Sequence, residues 1–244
     1  MANRRIAVAI VEPLYEMNIG YVARAMKNFG LNELYIVNPR CEIGETTRMY
    51  ASHAQDIIDN IVIVDSFSQL VSEFGLIAGT TGKIPKRLTP VRRYITAPHF
   101  AEILSNFTGN ILIVLGREDI GLKNDELELC DVVVTIEASQ HYPILNISHA
   151  AAIIFYEIFK RSKTEKLGTL MKLPSRKEKE LLLDLIEKSL KLQGKKEEFV
   201  SRAILRIKRL IGECPFSEQD VRLLLGIIRN LYEKASENTK DKSL

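Results

Sequence analysis

Short apolar runs alternate with amphipathic segments through the first two thirds of the chain. The runs predicted to be strands buried on both faces are Ile6–Val11, Leu34–Val37, Ile61–Val64, Leu76–Gly79, Ile111–Leu115 and Val132–Ile136. Helical spacing is found at Asn18–Phe29, Met49–Ile58, Ser68–Phe74, Pro98–Leu104, Asp125–Cys130 and Ile147–Lys160. This alternation predicts an α/β fold with a parallel, doubly wound sheet that binds ligands at the carboxyl ends of its strands.

The pattern changes after Lys160, where the sequence becomes polar and rich in lysine. We expect one domain over residues 1–162, a linker over 163–174 and a helical extension over 175–244. Ser175 and Glu178 have the spacing of a capping box, which predicts a helix from there to about Gln193. Two more helices are predicted, one over Lys196–Ile211 that ends at Gly212 and one that begins near Ser217.

Charge divides along the same boundary. The net charge of the chain is +3, but residues 1–162 carry 15 Lys and Arg against 18 Asp and Glu, a net of −3. Residues 163–244 carry 19 against 13, a net of +6. A basic extension suits polyanion binding, and it also suits a solvated, salt-bridged helical surface, so charge alone leaves both interpretations open.

Composition and motifs exclude several classes of protein. With 244 residues and 46% hydrophobic content the chain can bury a large core, and no apolar run is long enough to span a membrane, so a cytoplasmic protein is expected. Cys41, Cys130 and Cys214 lack the spacing of a zinc site or a disulfide framework, and no metal is predicted. Nucleotide-binding GxGxxG, zinc-protease HExxH and esterase GxSxG motifs are missing.

Three segments carry unusual residues at the mouth of the predicted sheet. The first, Asn18–Lys27, places Asn18 at a helix N-cap and Arg24 on a polar stripe with Tyr21. Taken alone, Asn18 is better explained by simple capping of the helix, and Arg24 by an ordinary surface arginine, than by a functional role.

The second segment, Leu115–Leu122, has two glycines around a charged turn, which allows a ligand or another part of the chain to approach the backbone closely. The third, Ile136–Ala150, joins a strand end to a helix start. Its apolar residues Pro143–Leu145 suit the wall of an adenine pocket, and Asn146 is predicted to cap the helix. An ordinary loop and apolar anchoring of that loop are the alternatives.

Together the three segments resemble the signature motifs of the SpoU branch of the SPOUT methyltransferases. The order matches an NxGxxxR helix, a strand followed by Gly-Arg-Glu-xx-Gly, and a Leu-Asn-hydrophobic-Ser stretch that leads into a helix. Asn38-Pro39-Arg40 and the helical extension are most similar to the tRNA cytidine/uridine 2′-O-methyltransferases that act at position 32 of the anticodon loop.

The resemblance implies a SPOUT fold with a C-terminal trefoil knot, and an enzyme that transfers a methyl group from S-adenosylmethionine to a ribose 2′-hydroxyl of tRNA without a metal. It also implies a homodimer with the active site at the interface. The implied catalytic residues are Arg24, Asn18, Glu118 and Asn146. The implied cofactor-binding residues are Thr80, Thr81, Gly82, Leu115, Gly116, Ile136, Pro143, Ile144 and Leu145.

One position departs from the family pattern, because Ile144 stands where the motif usually has serine. If the serine hydroxyl of the family holds the target ribose or relays its proton, a backbone group, Ser148 or water has to do so in this protein. Three other interpretations remain open: methylation of ribosomal RNA or another tRNA position, a catalytically silent RNA-binding protein, and a small-molecule-binding module.

A basic segment follows the predicted cofactor loop directly. Its five cations, with no acid among them, are Lys83, Lys86, Arg87, Arg92 and Arg93. Their position predicts that they hold RNA phosphates beside the methyl donor. A second candidate surface for RNA lies on the C-terminal helices, at Arg202, Arg206, Lys208 and Arg209.

Overall fold

A computed structural model describes residues 4–82, 91, 93–162, 171–214 and 216–241, with side chains up to residue 236. The strands are β1 (Arg4–Val11), β2 (Glu33–Val37), β3 (Val62–Val64), β4 (Leu76–Thr80), β5 (Ile95–Thr96), β6 (Phe107–Leu115), β7 (Val132–Thr135) and β8 (Met171–Lys172). The helices are α1 (Glu16–Asn28), α2 (Glu45–Ala51), α3 (Gln55–Asp59), α4 (Ser68–Val71), α5 (Ala97–Ser105), α6 (Asn124–Leu129), α7 (Ile147–Ser162), α8 (Arg176–Leu192), α9 (Glu197–Glu213) and α10 (Glu218–Asp241).

The strands form a parallel sheet in the order β3-β2-β1-β6-β4-β7-β5, and β8 pairs with the start of β6. This confirms the predicted α/β class and the parallel sheet. The strands that end beside the site, β6, β4 and β7, are neighbours at the middle of the sheet. Their carboxyl ends therefore meet at one edge, as the alternation of strands and helices predicts.

Both faces of the sheet are covered, which explains why the central parts of β1, β2, β6 and β7 are apolar at successive positions. On one face Val8 and Ile10 of β1 pack with residues of α1, α5 and α7. On the other face Ala7 and Ala9 pack with residues of α4 and α6. The alternation of side chains along a strand separates the two cores.

The structure corrects several boundaries. The edge strand β3 is exposed rather than buried, with Ile63 57% accessible. The helix predicted over Met49–Ile58 is two helices, α2 and α3, separated at Ser52, which has a φ of 55°. The two-residue strand β5 was not predicted, because runs this short carry no periodicity.

The extension folds as three helices around Leu182, Ile211, Val221 and Leu225. The predicted capping box at the start of α8 is confirmed, since Ser175 and Glu178 exchange hydrogen bonds. Gly212 does not end its helix as predicted. It lies inside α9, where a Cβ atom would come within 2.5 Å of the Asp131 carbonyl oxygen, so its role is close packing against the chain just before β7. The last residues of the predicted linker form β8.

Among the residues that the structure describes, no helix has the length and apolar character that crossing a bilayer requires.

Candidate active site

The carboxyl ends of β4, β6 and β7 enclose a pocket. Its lining includes all nine residues that the sequence assigns to the cofactor: Thr80, Thr81, Gly82, Leu115, Gly116, Ile136, Pro143, Ile144 and Leu145. Glu118, in the loop after β6, also lines the pocket. The first turns of α7 complete the walls with Ile147, Ala150 and Ile154. Three segments that are far apart in sequence thus form one mainly apolar cavity with charged groups at its rim.

Backbone and hydroxyl hydrogen bonds fix the loop after β4. The Thr80 hydroxyl donates to the Val114 carbonyl oxygen at 3.0 Å, which ties the loop to β6. The Thr81 amide donates to the Val134 carbonyl oxygen at 2.9 Å, and the Thr135 hydroxyl donates to the Thr81 carbonyl oxygen at 2.9 Å. The loop is therefore held by both neighbouring strands, and its position at the pocket does not depend on a ligand.

A buried arginine holds the loop after β6. Arg117 is 6% exposed and forms a bidentate pair with Glu126, with N to O distances of 2.9 and 2.7 Å. Its Nε donates to Glu12 Oε2 at 3.0 Å, which links this loop to the end of β1. The hydrogen bond from Arg117 is the main reason that the pKa of Glu12 falls to about 2. Sequence reasoning did not assign Arg117 this role, because nothing in a Gly-Arg-Glu turn shows that its arginine is buried.

The two glycines of the pocket have different roles. A Cβ atom on Gly116 would lie 2.4 Å from Gly121 C and from Leu122 N, so the tight turn itself requires glycine there. A Cβ atom on Gly82 would lie 3.5 Å from the Ile144 Cα, an ordinary contact across the pocket wall. Gly82 therefore leaves space at the cavity, whereas Gly116 lets the chain turn.

Three of the four predicted catalytic residues are joined by hydrogen bonds. Asn18 Nδ2 donates to Glu118 Oε1 at 2.9 Å, and Asn146 Nδ2 donates to Asn18 Oδ1 at 3.2 Å. Glu118 Oε2 accepts from the Leu14 amide at 3.0 Å. Asn146 Oδ1 accepts from the amide of Ser148 at 2.8 Å and from its hydroxyl at 2.7 Å. We call Asn18, Glu118, Asn146 and Ser148 the polar network.

The N-cap predictions have different outcomes. The structure confirms that Asn146 caps α7, since its side chain accepts from the second amide of the helix. The prediction that Asn18 caps α1 is wrong, because the helix begins earlier with Tyr15 as its N-cap. Asn18 is instead 5% exposed and points to Glu118, so its amide serves the site rather than the helix end.

Arg24 lies apart from this group. It is exposed on α1, does not line the pocket, and makes no hydrogen bond or ion pair with any residue that the structure describes. Six residues separate it from Asn18, which is about 9 Å along the helix and about a third of a turn around it. The pocket and the polar network of one chain therefore form without Arg24.

The predicted RNA-binding residues fall into three groups. Lys83, Lys86, Arg87 and Arg92 lie outside the described residues. Arg93 is described, and its half-exposed side chain forms an ion pair with Glu213 at 2.7 Å. On α9, Arg202 and Arg206 are exposed, whereas Arg209 is fully buried. Lys208 is partly buried, and its ammonium group donates to two carbonyl oxygens of α6. The prediction that Lys208 and Arg209 present charge to RNA is therefore wrong.

Within the described ranges, no cluster of three or more His, Cys, Asp or Glu residues is placed to hold a metal ion.

Known proteins resemble the chain along most of its length. A family model described as the SpoU rRNA Methylase family matches residues 5–156. The tRNA (cytidine-2′-O-)-methyltransferase TrmJ of Methanocaldococcus jannaschii is 35% identical over 229 residues, which cover 92% of this chain and 98% of that protein. The protein of the same name from Sulfolobus acidocaldarius is 28% identical over 241 residues, covering 98% and 99%.

A solved structure agrees with the fold. The crystal structure of TrmJ from Z. mobilis ZM4 covers 92% of this chain and 98% of its own, with a TM-score of 0.68 at 23% identity. The resemblance seen in the sequence motifs is confirmed by the family model and by these relatives. This chain belongs to the SpoU rRNA Methylase family.

Proposed function

We propose that this protein transfers a methyl group from S-adenosylmethionine to a ribose 2′-hydroxyl of tRNA, at cytidine or uridine 32 of the anticodon loop. The observation that carries the proposal is the polar network of Asn18, Glu118, Asn146 and Ser148 at the rim of the apolar pocket. The names of the relatives, which are tRNA 2′-O-methyltransferases, support the substrate.

The pocket suits the proposed methyl donor. Ile136, Ile144 and Leu145 offer apolar walls for an adenine ring, and the space that Gly82 leaves beside Ile144 is a cradle that a side chain would fill. When bound there, S-adenosylmethionine supplies a methyl group that is activated by its positively charged sulfur. No metal is needed for such a displacement, so this chain has to orient the acceptor and assist proton loss.

The polar network supplies the orientation. Its two ends are backbone amides, Leu14 at Glu118 and Ser148 at Asn146, and these fix the direction of every hydrogen bond between them. Both oxygens of Glu118 already accept hydrogen bonds, so this carboxylate acts by holding Asn18. The Ser148 hydroxyl lies within the network and takes the place of the serine that Ile144 replaces.

Arg24 contacts the RNA. A guanidinium group does not lose its proton at neutral pH, so Arg24 grips the phosphate next to the target ribose and polarises the 2′-hydroxyl rather than acting as a base. Because Arg24 stands apart from the pocket of its own chain, it completes the site of a second copy in a homodimer.

Exposed apolar side chains support such a dimer. Four large apolar side chains are between 38 and 48% exposed: Met17 and Tyr21 on α1, and Ile153 and Tyr156 on α7. The rings of Tyr156 and of Phe29, the residue that follows α1, have centroids 6.0 Å apart. These residues define the α1–α7 face, which has the character of a partner surface.

The proposed fold includes the trefoil knot of the family, and the proposed location is the cytoplasm.

Cations that follow the donor loop in sequence hold the RNA backbone. Arg93 and its basic neighbours in sequence follow the donor loop, with Arg202 and Arg206 on α9 as a second exposed pair. Neutralising Lys86, Arg87, Arg92 and Arg93 together is expected to weaken tRNA binding and flatten its salt dependence, because fewer counterions are released.

The test of the proposed function is a methylation assay with labelled S-adenosylmethionine and three unmodified acceptors: total tRNA, ribosomal RNA and a DNA copy of one tRNA. Label in tRNA alone supports the proposal. Label in ribosomal RNA alone would show that the substrate is ribosomal RNA and would refute tRNA as the substrate. No label in any acceptor, together with normal donor binding in calorimetry, identifies a catalytically silent RNA-binding protein and refutes the proposal.

A further inference from the structure

The basic helix α9 is attached to the catalytic domain by a buried arginine. Arg209 has no exposed surface, and among the described residues three carbonyl oxygens accept hydrogen bonds from it. Cys130 O accepts at 2.9 Å, Leu127 O at 2.7 Å and Val91 O at 3.0 Å. A guanidinium group has five donors in a rigid plane, so a single side chain can join separate backbone segments in this way.

Two of these carbonyl groups belong to the end of α6. The last carbonyls of a helix have no partner within it, and they carry partial negative charge. Lys208 adds two contacts there, to Glu128 O at 2.6 Å and Leu129 O at 3.0 Å. Arg209 and Lys208 together cap α6, and they fix α9 beside the start of β7.

The third carbonyl group belongs to a different segment. Val91 lies between the donor loop that ends at Gly82 and the edge strand β5. Two residues further on, Arg93 pairs with Glu213, one helical turn beyond Arg209 on α9. The chain that returns toward β5 is therefore held twice by the same face of α9.

Strand β7 connects this attachment to the pocket. Its start is packed against α9 at Gly212 and Arg209. Its end pairs with β5, and Val134 of the strand and Ile136 just after it line the pocket. Because β5 and β7 are parallel and Ile95 pairs with Val134, Val91 and Arg93 lie toward the α9 end of β7. Their position in the fold is thus set through α9, which lines no part of the pocket at the other end of the strand.

We propose that Arg209 is a positioning residue for RNA binding, which holds Val91 and the proposed RNA-contacting cation Arg93 against α9 and makes α9 a structural part of the catalytic domain. The part of this inference that concerns RNA rests on the proposed function. Direct phosphate binding by Arg209 is incompatible with its complete burial.

The experiment compares Arg209→Met and Arg209→Lys in the full-length protein with Arg229→Met as the matched control. Arg229 is an exposed arginine on α10 that plays no part in the proposed site. Hydrogen–deuterium exchange of the amides of Tyr94, Ile95 and Thr96 is measured without RNA or donor. The KM for tRNA, kcat and the donor Kd are measured in parallel.

We expect exchange at these three amides to rise at least tenfold in Arg209→Met, while amides of β1 and α1 stay within twofold of the wild type. The KM for tRNA is expected to rise at least fivefold, with kcat and the donor Kd within threefold. Arg209→Lys restores the charge but reaches fewer carbonyls, so its values should fall between those of Arg209→Met and the wild type. The control should match the wild type.

Unchanged exchange at Tyr94–Thr96, or a rise that is equal throughout the protein, would overturn the inference. An unchanged KM for tRNA would also overturn it. If Arg209→Met does not fold, Arg209→Lys and Glu213→Gln provide the same comparison. A wild-type protein that methylates no RNA would refute the proposed function and leave the exchange result to decide whether α9 holds this segment.

Discussion

Asn18 Nδ2 lies 2.9 Å from Glu118 Oε1, which joins the first turn of α1 to the loop after β6 across 100 residues of sequence. The same Asn18 side chain accepts from Asn146 at the start of α7. Each group in this chain of hydrogen bonds has one available orientation, because backbone amides occupy both ends. The site is therefore ordered before any substrate binds.

The first prediction concerns this order. Glu118→Gln replaces one acceptor oxygen with an NH2 group, which then faces either the Leu14 amide or the Asn18 NH2 group. We expect the methylation rate to fall at least about tenfold, because one polar group of the network is then left without a hydrogen-bond partner. The measurement is kcat/KM for tRNA, with Asp125→Asn, an exposed carboxylate on α6 outside the network and the pocket, as the control.

A double-mutant cycle tests whether the residues act as a unit. Asn18→Ala and Asn146→Ala should each reduce activity, and the double variant should lose much less than the product of the two effects. Independent, multiplicative losses would mean that the hydrogen bond between the two side chains has no part in catalysis.

The second prediction is that Arg24 acts across a dimer interface. Arg24→Ala should reduce methyl transfer about a hundredfold and leave the donor Kd within threefold, because a contact of the reacting RNA is lost and the pocket is intact. Lys27→Ala is the control, since Lys27 is an exposed cation on the same helix whose ion pair with Asp56 lies at the surface.

Mixed dimers distinguish the two possible origins of Arg24. A dimer of one Arg24→Ala chain and one Asn18→Ala chain has one complete site if Arg24 reaches the partner's pocket, and none if it serves its own. We therefore expect co-expressed mixed dimers to recover a large part of one site's activity. Activity as low as that of either parent variant would place Arg24 in its own chain's site.

The sequence was enough to predict which residues line the pocket, but not which partners the charged residues around it contact. The pocket residues follow strand ends, and the parallel arrangement of β4, β6 and β7 brings strand ends together. The burial of Arg117 could not be predicted, because its partners Glu12 and Glu126 lie on other elements and charge alone suggests exposure. Arg209 was misassigned to the surface for the same reason.

The third prediction separates the two pocket glycines. Gly82→Val places a side chain in the cavity next to Ile144, so the protein should fold normally and bind S-adenosylmethionine at least about tenfold more weakly. Calorimetry measures the Kd, and thermal unfolding checks the fold. Normal donor binding by a folded Gly82→Val protein would contradict the assignment of this cavity to the donor.

Gly116→Ala is expected to fail in a different way. Its Cβ atom would meet backbone at 2.4 Å, so the free energy of unfolding should fall before any effect on the ligand is considered. Gly226→Ala, on the exposed side of α10 with no atom within 4 Å, is the matched control and should be neutral or slightly stabilising.

The fourth prediction concerns the attachment of α8. Asp131 is 1% exposed and lies 3.1 Å from the Lys179 ammonium and 3.5 Å from the Arg176 guanidinium. Burial would raise the pKa of the Asp131 carboxyl, but Lys179, Arg176 and Lys208 outweigh this and hold the pKa below its ordinary value. Asp131→Asn should therefore cost roughly 3 kcal/mol of unfolding free energy near neutral pH, because it leaves Lys179 buried without its charge partner.

The pH dependence follows from the lowered pKa. Protons bind the unfolded carboxylate more readily than the folded one, so the stabilisation is present above the ordinary pKa near 3.8 and is lost as the pH falls below it. Denaturant unfolding should show the wild type approaching Asp131→Asn only in that acidic range. The double variant with Lys179→Met should recover most of the loss at neutral pH, and no recovery would show that the pair is not coupled.

Why the extension docks here could not be predicted from the sequence. The split of net charge between residues 1–162 and 163–244 is real. However, four of the cations on α8 and α9 are directed at carboxylate and carbonyl groups of the catalytic domain: Arg176, Lys179, Lys208 and Arg209. Amphipathic spacing identifies a helix and its apolar face. It does not identify which of its charged residues will be buried against another element.

The central claim is tested most directly by mass spectrometry of an unmodified tRNA transcript incubated with the protein and isotopically labelled S-adenosylmethionine. If the protein methylates the ribose of nucleotide 32, we expect labelled 2′-O-methylcytidine or 2′-O-methyluridine only in the nuclease fragment that contains this nucleotide. The label should be absent when nucleotide 32 carries a 2′-deoxyribose. Label on a base, or no labelled nucleoside from a folded protein that binds the donor, would contradict it.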